Sequence, residues 1–366
     1  MSNKFNPLDH PISFTYPDRL VFPNSWVEHI PFIFFLIDVI KPATIVELGT
    51  HTGNSYSAIC QAVSMLHLNT KCYAVDTWEG DAHAGFYGNE IFDDLSKYHD
   101  PKYGQFSWLL RTTFDDAKAY FSDSSINLLH IDGLHTYDAV KHDFENWLEK
   151  VAENGIVVIH DTNVKEREFG VWKFWEEVRV RYPSFEFIHG NGLGILTKGD
   201  GFDPSIKKAI EGENLNSFRS YFSTIGAKYN YPIEKIGLMQ LLREKNEFIS
   251  TLTKEIDHSK SNEDHALLQS ELEKSLLEKE KLTQEILITQ KKVEMIQQSN
   301  SVAHALQKRR VEELERVLAE QDDLLEETKV QLEDARKELS SFLTSKSWKI
   351  TRPFRKMVRF MKRGKK

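Results

Sequence analysis

The sequence is poor in cysteine: Cys60 and Cys72 are its only two in 366 residues. Two thiols make no disulfide framework and suit a reducing compartment, so a cytoplasmic location is expected. Long apolar runs are missing as well. The longest, Pro31 to Ile40 (PFIFFLIDVI), falls well short of the roughly 20 residues that span a bilayer and is interrupted by Asp38. It reads as a buried helix. The start, MSNKFNPLDH, has neither a basic region nor a following apolar stretch, so no secretory signal is expected. Glycine and proline are absent from Leu238 to Thr351, where Glu, Lys, Leu, Gln and Ser dominate. Such a stretch cannot supply the turns of a compact domain and reads as long helix. The formal net charge of -8 argues against nucleic acid, although only basic charges occur from Lys346 onward.

What is present before Tyr231 is a core-forming pattern. Short apolar runs alternate with amphipathic segments, as in strand-helix-strand units of a parallel sheet. Seven strands are expected: Thr44 to Leu48, Lys71 to Val75, Phe106 to Leu110, Ile126 to Ile131, Gly155 to Ile159, Phe185 to Ile188 and Gly194 to Thr197. Helices are expected at Ser55 to Leu66, Asp115 to Phe121, Thr136 to Val151 and Phe169 to Tyr182. The last two strands are joined by HGNGL, whose Gly-Asn-Gly turn predicts an antiparallel hairpin at a sheet edge. The fold class is therefore α/β: a Rossmann-like, seven-stranded, mostly parallel sheet with an antiparallel terminal hairpin, followed by a long α-helical coiled coil.

Ligands of open parallel sheets bind beyond the carboxyl ends of the strands. The first strand runs into Glu47-Leu48-Gly49-Thr50-His51-Thr52-Gly53-Asn54-Ser55, where two glycines permit close backbone approach and a helix start offers free N–H groups. The turn lacks the full G-x-G-x-x-G of dinucleotide binders, which weakens a nicotinamide reading. Asp76 closes the second strand, where a carboxylate can accept both hydroxyls of a ribose. Glycine turn and Asp76 together predict a nucleoside site; the glycines alone would serve tight packing equally well.

Taken in order, VELGTHTGNSYSAI, AVDTWEGD, LLHIDGLHTYDAVKHDFENWLEKVAENGIVVIHDT and GNGLGIL resemble the class I S-adenosylmethionine (SAM)-dependent methyltransferases of the small-molecule and sugar O-methyltransferase type, often labelled methyltransferase family 24. The resemblance covers about Pro31 to Thr197. It implies SAM as cofactor, with Glu47, Gly49, Gly53 and Ser55 at the methionine end and Asp76 with Trp78 at the ribose. Arg111 to Asp116 falls where the family contacts adenine, which nominates Asp115.

Methyl transfer to a hydroxyl needs alignment and a nucleophile freed of its proton. Strand four ends His130-Ile131-Asp132-Gly133-Leu134-His135 and strand five His160-Asp161-Thr162-Asn163, so carboxylates and histidines converge at neighbouring strand ends. In one mechanism His135 or Asp132 takes the acceptor proton. In the other, Asp132, His160 and Asp161 hold a divalent metal such as Mg2+. His160 departs from the acidic or amide ligands that related metal-dependent O-methyltransferases place there. His130 reads as a satisfied structural histidine, and Tyr137, Asp143 and Trp147 as packing and surface residues. Asp81, His83 and Tyr87 lie in a Gly-rich loop that either closes over substrate or is simply solvated.

Apolar residues recur at heptad spacing through Leu242, Ile249, Leu252 and Ile256, lapse across His258 to His265, and resume through Leu268, Leu272, Leu282, Ile286, Val293 and Ile296. They continue at Val311, Leu314, Leu318, Leu325, Leu332, Leu339 and Phe342. One helix of that extent would reach on the order of 150 Å, and its stripe implies a homo-oligomeric coiled coil. The tail SWKITRPFRKMVRFMKRGKK mixes aromatics with Lys and Arg and suits an anionic membrane surface. SKSWKITRPFRKM also resembles a C-terminal signature of bacterial glycan-assembly proteins. The expected organisation is an N-terminal extension (1–30), a methyltransferase domain (31–200), a domain edge and linker (201–237), a coiled coil (238–345) and a basic amphipathic tail (346–366). The expected function is O-methylation of a saccharide or glycolipid acceptor in surface polysaccharide biosynthesis, peripheral at the inner face of the cytoplasmic membrane. An inactive coiled-coil scaffold, and a methyltransferase of small molecules or of nitrogen, are the alternatives.

Overall fold

In the computed structural model of the chain, the described residues are 6–344 apart from 82, 84, 167, 213 and 259–261. Two units are delimited, 1–296 and 297–366. The tail at 346–366, with its expected membrane contact, lies outside the described residues.

The sheet arises as the alternation predicts. Helix α1 (Ile30–Ile40) precedes β1 (Thr44–Leu48), α2 (Asn54–Met65) and β2 (Lys71–Asp76). A small ribbon, β3 (Gly80–Asp81) with β4 (Gly85–Phe86), leads to α3 (Glu90–Tyr103), β5 (Ser107–Arg111) and α4 (Phe114–Ala117). There follow β6 (Ile126–Ile131), α5 (Tyr137–Trp147), β7 (Val151–His160), α6 (Val171–Val178), β8 (Ser184–Phe187) and β9 (Leu193–Thr197). The strand order is β5-β2-β1-β6-β7-β9-β8. Within this sheet, among the described residues, only the pairings of β9 with β7 and with β8 are antiparallel, so the predicted edge hairpin is present. Its Gly-Asn-Gly turn uses positive φ at Gly190, Asn191 and Gly192. The order reverses between β1 and β6, which opens a crevice above their carboxyl ends.

The core has two layers, one on each face of the sheet. Helix α1 is apolar on every side because every side is covered: Ile30 to Ile37 are all buried. Its Phe32 ring lies 4.7 Å from Phe187 and 5.5 Å from Phe222. On the opposite face, α5 and α6 seat Phe144, Trp147, Phe174 and Trp175.

Two readings change here. Residues 201–237, expected as domain edge and linker, hold α7 (Pro204–Ile210), α8 (Asn214–Ala227) and the start of α9 (Asn230–His258). Phe218 and Phe222 of α8 complete the α1 layer, so burial overrides the weak periodicity of this stretch. The continuous stalk expected from Leu238 is two helices, α9 and α10 (Asn262–Thr344). Lys245 of α9 pairs with Glu278 at 2.7 Å, and Lys292 lies 4.5 Å from the Tyr231 ring. Partner numbers fall as α9 numbers rise, so α9 and the first part of α10 run antiparallel. The stripe from Leu242 to Ile256 and from Leu268 to Ile296 is half-buried or buried, while Leu241, Leu276, Leu277, Leu287 and Ile288 stay exposed. A second copy is thus not needed to cover the stripe over these residues.

Candidate functional site

The site lies at the carboxyl ends of β1, β2, β6 and β7. After β1 the backbone turns with φ +86° at Gly49, 49° at His51 and +80° at Gly53, which caps α2. A Cβ on Gly49 would lie 2.1 Å from the carbonyl oxygen of Asp132, so the β1 turn meets the end of β6 at a distance only glycine allows. Ser55 is buried in the first turn of α2.

Asp76 holds this turn. Its Oδ2 accepts from the backbone N–H of Thr50 and of His51, each at 2.8 Å, and its Oδ1 from that of Trp78 at 2.7 Å. The carboxylate expected to grip a ribose therefore organises the loop first, and its remaining lone pairs face the crevice edge where it is part-exposed. Trp78 differs from expectation. Its indole is fully buried and donates from Nε1 to the His51 carbonyl at 2.9 Å, so it supports the turn from below instead of presenting a face to a ribose. Asp115, nominated for the adenine, is engaged with α5 here. It accepts from His142 and Asn146 of α5, at 2.9 and 2.7 Å, on an exposed surface.

Glu47 is fully buried, and its Oε2 pairs with Nδ1 of His130 directly across the strand pair at 2.8 Å. Nε2 of His130 accepts from Trp26 Nε1 at 3.1 Å, which fixes the proton on Nδ1. His130 is the satisfied structural histidine expected. Glu47 Oε1 and Thr50 Oγ1 are buried and have no hydrogen-bond partner, so acceptor capacity remains at the β1 end, where the resemblance puts a methionine ammonium.

At β6 and β7 two carboxylates meet two imidazoles. His135 Nε2 lies 2.8 Å from Asp161 Oδ2 and 3.7 Å from Asp132 Oδ1. His160 Nδ1 lies 3.2 Å from Asp132 Oδ1 and 3.4 Å from Asp161 Oδ1. Burial alone would lower the pKa of both rings, but the carboxylates overcome it: His135 is raised to about 9 and His160 well above its ordinary value. For Asp132 and Asp161 burial works upward, and the facing imidazoles hold both well below the usual carboxylate range. His135 thus keeps its proton at neutral pH and is a poor base in this state.

His160, named with Asp132 and Asp161 in the metal reading, donates from Nε2 to the Gly190 carbonyl at 3.1 Å and turns Nδ1 to the carboxylates, so Nδ1 is the nitrogen it has to offer a metal. The donors that converge are Asp132, His135 and Asp161, with one ligand atom each within 4.8 Å of one another. Asp161 reaches this position through a left-handed backbone, φ 58°, which turns its carboxylate to His135. The His135 ring is also covered by Phe169, at 4.4 Å and 7° between planes, a contact no sequence signal announced.

Residues 46–162, which hold three of the four sequence blocks, match the sequence model of a family described as a methyltransferase domain. Sheet order, glycine turn and match coincide on the same residues. Over this segment the chain is similar to that family. The sheet has the class I, Rossmann-like order expected from sequence. Over 223 residues the chain is 44% identical to the uncharacterized protein y4gI of Sinorhizobium fredii, covering 60% of this chain and 24% of that protein. The chain thus spans about a quarter of the length of this relative. Solved structures similar to it include the O-methyltransferase TomG of Streptomyces achromogenes, in complex with SAM, at 13% identity and TM-score 0.36, covering 53% of this chain and 90% of that one. The SAH-bound methyltransferase PaMTH1 of Podospora anserina matches at 14% identity and TM-score 0.35, covering 49% and 89%.

Proposed function

We propose that the chain is a SAM-dependent O-methyltransferase acting on a sugar hydroxyl in bacterial surface polysaccharide or glycolipid biosynthesis. The observation that carries the chemistry is the placement of Asp132, His135 and Asp161 beside the Gly49 turn. When bound, SAM supplies a methyl group on a sulfonium. Glu47 Oε1 and Thr50 would receive its polar methionine end, with Asp76 at the ribose edge. The acceptor oxygen must lose its proton as it forms the new C–O bond and the sulfur takes back the C–S electron pair. His135 and Asp132 are tied to each other's charge, so the metal reading fits this cluster better than a bare histidine base. A divalent cation there would lower the acceptor hydroxyl's pKa, with Asp132, His135 and Asp161 as its ligands and His160 orienting Asp132.

The saccharide acceptor rests on the resemblance of the head and of the tail. Among the described residues no helix is long and apolar enough to cross a membrane. The tail at 346–366 is proposed to bind anionic lipid at the cytoplasmic face, and the heptads from Val311 to Phe342 to join copies of the chain. Incubation with labelled SAM and the producing cell's lipid-linked glycans tests the acceptor: a labelled sugar is expected. Calorimetry that detects no SAM binding would leave a coiled-coil scaffold as the reading.

A further inference from the structure

Between β2 and α3 the chain leaves the sheet edge and returns as the β3–β4 ribbon. Its base is rigid. Trp78 is buried at φ 51°, and Gly80 has φ +79° with the Gly85 carbonyl 2.0 Å from where a Cβ would stand. Tyr87 N–H closes the base on the Glu79 carbonyl at 3.2 Å.

From this base two rings reach to opposite sides of the crevice. Tyr87 stacks on His51 of the β1 turn, 5.1 Å between centroids. His83 lies parallel to Phe169 at 4.9 Å and 13°, and to His135 beyond β6 at 5.7 Å and 17°. Strands β1 and β6 are direct neighbours, so whatever lies across their tips lies beneath the ribbon. Polar atoms under it are buried without a hydrogen-bond partner: Nδ1 of His83, Nδ1 of His135, Oγ1 of Thr50 and Oε1 of Glu47. Unsatisfied buried groups in a native structure call for a ligand or water, and these lie on β1 and its turn, beyond β6 and on the ribbon that bridges them. The platform that receives His83 is itself fixed, since the Gly170 N–H donates to the His135 carbonyl at 2.8 Å and a Cβ on Gly170 would stand 2.2 Å from the Tyr137 nitrogen.

We propose that the β3–β4 ribbon is the lid of the methyl-donor site, fastened on one side by Tyr87 on His51 and on the other by His83 on Phe169 and His135. The proposal rests on the donor-site reading above. An aromatic stack is worth up to about tenfold in an equilibrium constant, so two of them close the lid firmly yet let it open on the timescale of catalytic loops. His83 and Tyr87 become donor-site residues, and the donor enters and SAH leaves only when both stacks part.

The probe is SAH, with the full chain. Deuterium exchange in the peptide covering residues 79–92 is expected to slow when SAH binds. The variant carrying H83A and Y87A is expected to release SAH at least about tenfold faster in stopped flow; Tyr87 also packs against the core, so the release rate is compared with that of H83A alone, which should fall between wild type and the double variant. Phe169→Ala, which removes one fastening only, is expected to give an intermediate rate. An SAH-bound wild type with unaltered exchange at 79–92, or a double variant with unaltered release, overturns the lid. No binding of SAH to the wild type at all would instead remove the donor site, and the lid with it.

Discussion

The two halves of the crevice are held by different forces. At β1 and β2 the turn is fastened by backbone N–H groups on Asp76 and by glycine contacts that admit no side chain. At β6 and β7 the fastening is charge: two carboxylates against two imidazoles, with His160 and Asp161 buried and Asp132 and His135 part-exposed. Backbone geometry does not titrate and does not yield by degrees, whereas ion pairs do both. The donor half is therefore expected to fail through steric change and the acceptor half through charge.

The sharpest contrast comes from Gly49→Ala. It forces an L side chain to φ +86° and a Cβ to 2.1 Å from a carbonyl oxygen, so backbone strain and overpacking add to a loss on the order of 5 kcal/mol. Thermal denaturation should show it at every pH. An alanine variant that melts like the wild type would mean that the β1 turn is not pinned against β6. Next in size is Asp132→Asn, which preserves shape and leaves His135 and His160 with Asp161 as the one carboxylate facing both. Removing one member of a buried pair costs about 3–5 kcal/mol. The same variant should move the His135 titration, followed by NMR, down toward its ordinary value.

A pH series separates the halves without mutation. His135 in the folded chain is raised from 6.5 to about 9. The stability it contributes is full below pH 6.5 and is lost as pH rises through 9. The loss is on the order of 3 kcal/mol by the energy of a pKa unit. Urea unfolding of chelator-treated protein at about pH 6 and pH 9.5 measures it, and His135→Gln should flatten the difference. Asp132 and Asp161, held low, contribute in the opposite sense, and their contribution disappears only in strong acid. Equal slopes for wild type and His135→Gln would place the charge of the acceptor half elsewhere.

The same division governs what could be read from sequence. Gly49, Gly53 and Asp76 are local: a strand, a turn and the next strand end, and periodicity finds all three. The edge hairpin was legible for the same reason, since Gly-Asn-Gly leaves few conformations. The pairing of His135 with Asp161 was not, because it depends on one dihedral angle. With Asp161 at positive φ, its carboxylate turns to His135 while His160 stays on the strand and points to Gly190; no residue type announces that. Helix α3 escaped because it is polar and carries Pro101 near its end. In α9 and α10 the apolar stripe was plain but its partner was not: periodicity says that a face will be covered, not by what.

The smallest effect expected sharpens the comparison most finely. Asp115 and His142 form an ion pair at 2.9 Å, as short as that of His135 with Asp161, yet both side chains are more than half exposed. If charge alone distinguished the halves, Asp115→Asn would resemble Asp132→Asn. Water already solvates both groups and salt screens them, so the pair contributes less than about 1 kcal/mol, and the urea midpoint should barely move. Donor affinity is the second reading of the same variant. Asp115 faces α5, accepting from His142 and Asn146, so SAH affinity should stay within about twofold, 0.4 kcal/mol on the scale where tenfold is about 1.4. A large loss of SAH affinity with unchanged stability would show instead that Asp115 leaves α5 for the adenine, and would move one charged group back to the donor half.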